Sequence, residues 1–253
     1  MLEAYIAERR GSRPILLMTH IVIGYPSFEA SLAIVDAMVA GGVDLMELQI
    51  PFSEPIADGP VIVRANQRAL AAGSTIERCF EFARTVAERH PIPFLFMSYY
   101  NPVFRVGPAA FVSRMRDVGL RGAIVPDLPP EEASEYLVAM KRAELDPIFI
   151  YSPNTTDQRL RQIAEHARGF VYCVARKGVT GIHTEFSSSL NAYLERCRAA
   201  THLPLAVGFG VQTAADVAGL VGRAEIAVVG SQTLRIIDEQ GVAFVKPFVE
   251  GLR

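Results

Sequence analysis

The chain has 253 residues, of which half are hydrophobic and 21% are charged, and its formal net charge is −2. This composition supports a sizeable buried core and excludes a largely disordered chain. No basic stretch is long enough to predict a nucleic-acid or membrane surface, so we expect the partner to be a small molecule or another protein.

The three cysteines, Cys79, Cys173 and Cys197, are widely spaced and form no CxxC pair. They predict buried, reduced thiols in place of a disulfide framework or a zinc site. The five histidines are scattered without metal-ligand spacing, which predicts no metal site. The N-terminus reads as a short charged helix without the apolar core of a signal peptide, and a cytoplasmic location is the expectation.

Short runs rich in Val, Ile, Leu and Phe alternate with helical patterns along the chain. The first helix is predicted over residues 27–40, with an apolar stripe of Phe28, Leu32, Val35 and Val39. Strict strand–helix alternation predicts a parallel sheet covered by helices. The strands are predicted at residues 15–23, 45–50, 93–98, 123–125, 147–151, 170–174, 205–208 and 226–229.

Two architectures fit this alternation, an open doubly wound sheet and a closed barrel. The turn after the first strand reads Gly24-Tyr25-Pro26-Ser27, which is not the GxGxxG expected of a doubly wound dinucleotide fold. Eight units in a chain of this length favour a (β/α)8 TIM barrel, as one domain over residues 1–253 with a short N-terminal helix. The longest irregular stretches, 51–61 and 176–189, follow strands, at the end where barrel active sites lie.

Glu47 lies in the second strand, where side chains alternate between two faces. Met46, Leu48 and Ile50 suit contact with the outer helices, which directs Glu47 and Gln49 into the barrel. A carboxyl group in that environment suits proton transfer near neutral pH. A structural glutamate bonded to a nearby hydroxyl is the alternative, but a place near the carboxyl end of the strand favours function.

Asp58 lies in the next loop, whose three prolines and glycine restrict the backbone. Such a loop can hold a carboxylate steady. An Asp that caps its own turn before Gly59 is the alternative, and spacing alone favours it. Glu54, in the same loop, reads as a solvated surface acid.

Glycine turns follow the last two strands, as Gly208-Phe209-Gly210 and Gly230-Ser231. In barrels, loops at these places often bind phosphate through backbone N–H groups and a helix N-terminus, and Ser231 adds a hydroxyl donor. Gly178 and Gly181 can contribute from the loop after strand six. Ordinary tight turns are the alternative, but two turns at the expected places favour a phosphate ligand.

Three tyrosines, Tyr99, Tyr100 and Tyr172, end strands three and six. They suit the wall of a pocket for a flat ring, and core packing with a bonded hydroxyl is equally consistent with each. His20, in strand one, is interpreted as a satisfied core histidine.

These residues together resemble the tryptophan synthase alpha chain family. The resemblance runs in order from Gly24-Tyr25-Pro26 to the last strand and covers nearly the whole chain. The segment 47–60 is highly specific, whereas the glycine turns are shared with other phosphate-binding barrels. The matching motifs are Glu47-Leu48, Ile50-Pro51-Phe52-Ser53, Ala57-Asp58-Gly59-Pro60, Gly178-Val179-Thr180-Gly181, Gly208-Phe209-Gly210 and Gly230-Ser231.

The resemblance implies cleavage of indole-3-glycerol phosphate to indole and glyceraldehyde 3-phosphate, a retro-aldol reaction without a cofactor in this chain. Glu47 matches the catalytic glutamate, Asp58 the aspartate that accepts the indole N–H, and Tyr172 a tyrosine beside the glutamate. Residues 176–189 match a lid over the substrate. The implied substrate-binding residues are Tyr99 and Phe209 near the indole ring, Thr180 beside the catalytic aspartate, and Gly181, Gly210, Gly230 and Ser231 at the phosphate.

The sequence departs from the family pattern near these groups. Gln49 replaces the usual glycine and is expected to reshape the pocket or bond to Glu47, and His20 replaces an apolar or aromatic residue. Glu54 replaces a common aspartate in a loop that faces the partner subunit, and the lid begins Ala175-Arg176-Lys177 in place of Ser-Arg-x.

The family implies a beta-chain partner that uses pyridoxal phosphate, in an α2β2 assembly. Three alternatives stay open at this stage: a stand-alone lyase that releases free indole, a catalytically silent barrel that regulates the beta chain, and a phosphosugar isomerase on the same barrel. Retention of Glu47 and Asp58 argues against the silent barrel.

Overall fold

The eight strands pair in parallel in sequence order, and the eighth returns to the first to close a barrel. The computed structural model describes residues 2–174, 188–208 and 210–253. The predicted (β/α)8 barrel is therefore confirmed against the open sheet. The strands are β1 (Leu16–Val22), β2 (Leu45–Gln49), β3 (Phe94–Met97), β4 (Gly122–Ile124), β5 (Asp146–Tyr151), β6 (Val171–Val174), β7 (Leu205–Gly208) and β8 (Ile226–Val229).

Helices of the described residues surround this barrel, and the first of them closes its lower end. Leu2 and Ile6 of the N-terminal helix pack into the cluster that fills the barrel interior. The helices are α1 (Leu2–Arg10), α2 (Phe28–Ala40), α3 (Pro60–Ala71), α4 (Ile76–Arg89), α5 (Tyr100–Val106), α6 (Pro108–Asp117), α7 (Ser134–Ala143), α8 (Asp157–Ala164), α9 (Ser188–Ala200), α10 (Ala214–Leu220), α11 (Ser231–Gln240) and α12 (Val245–Glu250). None of the helices in these ranges is long and apolar enough to span a membrane.

The alternation of side chains along β2 divides its residues between two clusters. Met46, Leu48 and Ile50 pack between the barrel and the helices, whereas Leu45 packs inside the barrel. Glu47 and Gln49 share the face of Leu45, so the predicted inward direction of both side chains is confirmed.

The predicted stripe of α2 packs against the core, but of its four residues only Val35 is fully buried. Phe28, Leu32 and Val39 are only partly buried, and the Arg78 guanidinium lies 3.9 Å from the Phe28 ring centre. Apolar residues occupy most of the circumference of α2, and its contacts with β1, α4 and α12 select the buried face. The residues that it buries are Ser31, Ile34, Val35 and Met38.

An ion cluster at the lower end of the barrel joins the two ends of the chain. The buried Asp44 carboxylate lies 2.6 Å from Arg13, 3.0 Å from Arg9 and 2.8 Å from Arg253. It also accepts the backbone N–H of Leu17 at 2.9 Å. This end of a barrel serves stability, whereas catalysis uses the opposite end. The three cysteines are buried and free, as predicted.

Candidate active site

Glu47 lies inside the barrel with only 2% of its surface exposed. Its register partner on β1 is His20, and His20 Nδ1 lies 3.1 Å from Glu47 Oε1. The second oxygen, Oε2, is buried and makes no hydrogen bond within the described residues. Among the described residues, one Glu47 oxygen is therefore held by the protein and the other has no partner.

The interpretation of His20 as a satisfied core histidine is only half right. Nδ1 has a partner, but the buried Nε2 has none among the described residues. Burial by itself lowers the pKa of His20; the hydrogen bond to Glu47 and the charges of Glu47 and Asp58 outweigh it, so the pKa is raised above 6.5. Sequence reasoning missed this pair. The alternation of side chains along β1 places His20 on the inward face, beside β2, and could have indicated it.

Asp58 is held by two side chains that reach it from strand ends. Gln49 Nε2 donates to Asp58 Oδ2 at 2.7 Å, and the Tyr99 hydroxyl donates to the same oxygen at 3.1 Å. The expected bond of Gln49 to Glu47 is therefore absent from the described residues, and its amide binds Asp58. The carboxylate is held across the loop by these two donors, so the turn-cap interpretation of Asp58 is not supported.

The loop that carries Asp58 is fastened at several points. The Tyr99 hydroxyl accepts the Ala57 N–H at 3.0 Å, and the Tyr99 ring stacks on Phe52 with centroids 5.3 Å apart. Asn66, fully buried on α3, accepts the Phe52 N–H at 2.9 Å. Sequence reasoning missed Asn66, which carries no motif of its own. Burial first, then the Asp58 charge, raises the pKa of Tyr99 above 10.0, so its hydroxyl stays a donor.

Tyr172 enters the site from β6 through space that glycine leaves. A Cβ atom at Gly208 would lie 2.7 Å from the Tyr172 hydroxyl oxygen, so a larger residue there would displace the ring. Burial, then the charges of Glu47 and Asp58 and the interaction of the hydroxyl with Glu47, raise the pKa of Tyr172 well above 10.0, which keeps the phenol neutral. Tyr100 instead begins α5, and its N–H donates to Asp127 at 2.8 Å.

The two glycine turns follow β7 and β8, which are neighbouring strands of the barrel. Gly230 is the N-cap of α11 and supplies no side-chain cap, so the first N–H groups of the helix stay available to an anion. The N-terminus of α10 is different, because Thr213 and Asp216 form a capping box there. Gly210 adopts a φ of 55°, a conformation that favours glycine.

Some predicted residues fall outside the described ranges. They are Thr180, Gly181 and Phe209, together with Gly178 and the part of the predicted lid up to residue 187. Glu54 is exposed, as expected. In the ranges that the structure does describe, no three His, Cys, Asp or Glu side chains converge as metal ligands.

The upper end of the barrel thus combines three features of the described residues: a buried carboxylate with one unpartnered oxygen, a second carboxylate fixed by two donors, and a helix N-terminus without a side-chain cap. This defines an acid–base enzyme of the β/α-barrel class with a place for an anionic substrate group. The family model described as tryptophan synthase alpha chain matches residues 7–247. The chain belongs to this family, whose members are lyases that cleave indole-3-glycerol phosphate.

Relatives and solved structures agree with this assignment. The chain is 61% identical over 252 residues to the tryptophan synthase alpha chain of Desulforapulum autotrophicum and 59% identical over 253 residues to that of Syntrophotalea carbinolica, each alignment covering all of both chains. Its fold is similar to a chain of Mycobacterium tuberculosis tryptophan synthase, with a TM-score of 0.92, 32% identity, and coverage of 99% of this chain and 96% of that one. A chain of the Pyrococcus furiosus tryptophan synthase complex matches with a TM-score of 0.86, 32% identity, and coverage of 94% and 97%.

Proposed function

We propose that Glu47 performs the proton transfers in the cleavage of indole-3-glycerol phosphate. Its unpartnered inward oxygen is the observation that carries this proposal. Protonation of the ring carbon that bears the side chain gives an indolenine with positive charge on nitrogen. Removal of the glycerol hydroxyl proton then lets the carbon–carbon bond break: the aldehyde forms and the bonding electrons restore the indole ring.

Asp58 accepts the indole N–H and stabilises the positive charge that develops there. Within the described residues, two donors bind Asp58 Oδ2 and none binds Oδ1, which leaves Oδ1 to the indole nitrogen in this proposal. Because Gln49 and Tyr99 hold the carboxylate before substrate arrives, little reorganisation accompanies the reaction. Tyr172 contributes a neutral hydroxyl beside the two acids, and Tyr99 forms part of the wall near the indole ring.

The phosphate group of the substrate binds at the upper rim on the side of β7 and β8. Gly230 and Ser231 offer the N-terminus of α11, and Gly210 lets the neighbouring backbone approach. Gly181, Thr180 and Phe209 are assigned to the phosphate, to Asp58 and to the indole ring by resemblance to the family.

This chain works with a beta chain in an α2β2 assembly, and the pyridoxal phosphate belongs to that partner. The similarity to chains of whole tryptophan synthases supports the partner. Two apolar side chains next to the site, Ile56 and Phe104, are 82% and 68% exposed, which suits a surface that another subunit covers. The chain acts as a single cytoplasmic domain without a cofactor of its own.

Glu47→Gln tests the proposal, since it keeps the shape of the side chain and removes its acid–base capacity. Indole release by the purified chain should fall at least a hundredfold, because a general acid–base group contributes roughly 10²–10⁴-fold. Glu88→Gln, at an exposed position on α4, is the matched control and should keep native turnover. Native-like turnover of Glu47→Gln would refute the role.

Assays with and without a beta chain separate the remaining alternatives. A silent regulatory barrel would show no cleavage alone and none with the beta chain. A stand-alone lyase would neither co-purify with a beta chain nor be stimulated by it.

A further inference from the structure

Each of the two acids, Glu47 and Asp58, contacts one inward-facing polar side chain. His20 Nδ1 lies 3.1 Å from Glu47 Oε1, and Gln49 Nε2 lies 2.7 Å from Asp58 Oδ2. The other polar atoms of these two side chains, His20 Nε2 and Gln49 Oε1, are buried atoms without a hydrogen-bond partner in the described residues. A donor and an acceptor are thus left over on neighbouring side chains.

The placement of His20 and Gln49 in the sheet explains why they are neighbours. His20 pairs with Glu47 in the β1–β2 register, and Gln49 lies two residues farther along the same inward face of β2. His20 is 1% exposed and Gln49 is fully buried. A polar atom left unpaired at such depth is destabilising, which favours pairing of the two.

We propose that His20 and Gln49 are positioning residues that join the two acids in one hydrogen-bonded relay, from Glu47 through the His20 imidazolium and the Gln49 amide to Asp58. In the relay the imidazolium donates through Nδ1 to Glu47, and Nε2 and Gln49 Oε1, which are unpaired in the structure, form the joining hydrogen bond. Neutral imidazole has one N–H and satisfies only one of these acceptors. The relay rests on the roles proposed for Glu47 and Asp58, and it leaves Glu47 Oε2 free for substrate.

The surroundings of His20 favour the charged form that the relay requires. Burial lowers its pKa, but Glu47, Asp58 and the Gln49 amide together raise the pKa above 6.5. Tyr172 on β6 faces the same acids as a neutral phenol, and β8 brings Gly230, without a side chain, next to His20. Because the pKa is raised, the cation is present at lower pH and is lost as pH rises through the pKa of His20.

A matched pair of variants separates positioning from simple packing. His20→Phe keeps a ring but has no donor, whereas His20→Asn keeps an amide N–H near the position of Nδ1 and does not titrate. His20→Phe should lower kcat roughly 10- to 100-fold, since a hydrogen bond to a charged group is lost. KM and the affinity for indole-3-propanol phosphate, a substrate mimic without the glycerol hydroxyls, should stay native.

The pH profile of kcat gives a readout that a packing role would not move. Native kcat should decline as pH rises through the pKa of His20, and His20→Asn should retain more activity than His20→Phe and lack that decline. Gln49→Leu should also lower kcat, and combining it with His20→Phe should cost less than the product of the single effects, because both break one relay.

The outcomes distinguish the relay from the proposed function. If the native chain releases indole and Glu47→Gln does not, but His20→Phe stays within about twofold of native kcat with an unmoved pH profile, the relay is refuted and the function stands. If the native chain fails to cleave the substrate, the proposed function fails first. If His20→Phe does not fold, the pH profile of His20→Asn decides, and a native profile there overturns the relay.

Discussion

The hydroxyl of Tyr99 joins β3 to the loop that carries Asp58, and its removal tests how that acid is held. Tyr99→Phe keeps the ring stacked on Phe52 and deletes two hydrogen bonds, the one donated to Asp58 at 3.1 Å and the one accepted from Ala57 N–H at 3.0 Å. The change therefore loosens the carboxylate without leaving a large cavity.

The expected cost follows from the exposure of the two partners. Asp58 is half-buried and Ala57 is exposed, so water can replace part of what the hydroxyl supplied. We expect a loss of about 1–2 kcal/mol in the free energy of unfolding. For a chain of this size that is a fall of about 3–6 °C in Tm. A comparable loss of positioning in the transition state lowers kcat roughly tenfold.

Thermal unfolding and steady-state indole release measure these two effects. Tyr136→Phe is the matched control, because Tyr136 is buried on α7 and its hydroxyl has no hydrogen-bond partner within the described residues. That variant should keep native activity and at least native stability. If Tyr99→Phe behaves like Tyr136→Phe in both assays, the Tyr99 hydroxyl does not hold Asp58.

Three further substitutions test other parts of the molecule. Asp58→Asn removes the charge that faces the indolenine and should lower kcat roughly 10²–10³-fold; a fall of less than about tenfold in the indole assay would make Asp58 a positional residue only. Gly208→Ala places a Cβ 2.7 Å from the Tyr172 hydroxyl oxygen, so kcat should fall while circular dichroism stays native; unchanged kinetics would show that the ring position is immaterial. Asp44→Asn breaks the buried ion cluster and should cost about 3–5 kcal/mol in urea unfolding, whereas Asp36→Asn, at a pair whose carboxylate is 43% exposed, should cost less than about 1 kcal/mol. Equal costs at the two positions would contradict the importance of burial.

The local pattern of the sequence was enough for the architecture and for the inward direction of Glu47 and Gln49. Strand–helix alternation predicted a parallel sheet, and eight units in a chain of this length favoured the closed barrel. The period of two along β2 placed Glu47 inside it. The glycine turns after the last two strands marked the uncapped N-terminus of α11. These features depend on residues near each other in the chain, so the sequence carries them directly.

The partners of the inward side chains were decided by the tertiary structure. The alternation of side chains along a strand determines which face a residue occupies. It does not determine which residue of the next strand lies beside it. The register between β1 and β2 placed His20 against Glu47, and the path of the following loop brought Asp58 to Gln49. The same holds for α2, where the contacts with β1, α4 and α12 decide which part of a largely apolar circumference is buried. Contacts between distant segments depend on how the barrel closes, and no short stretch of sequence contains that information.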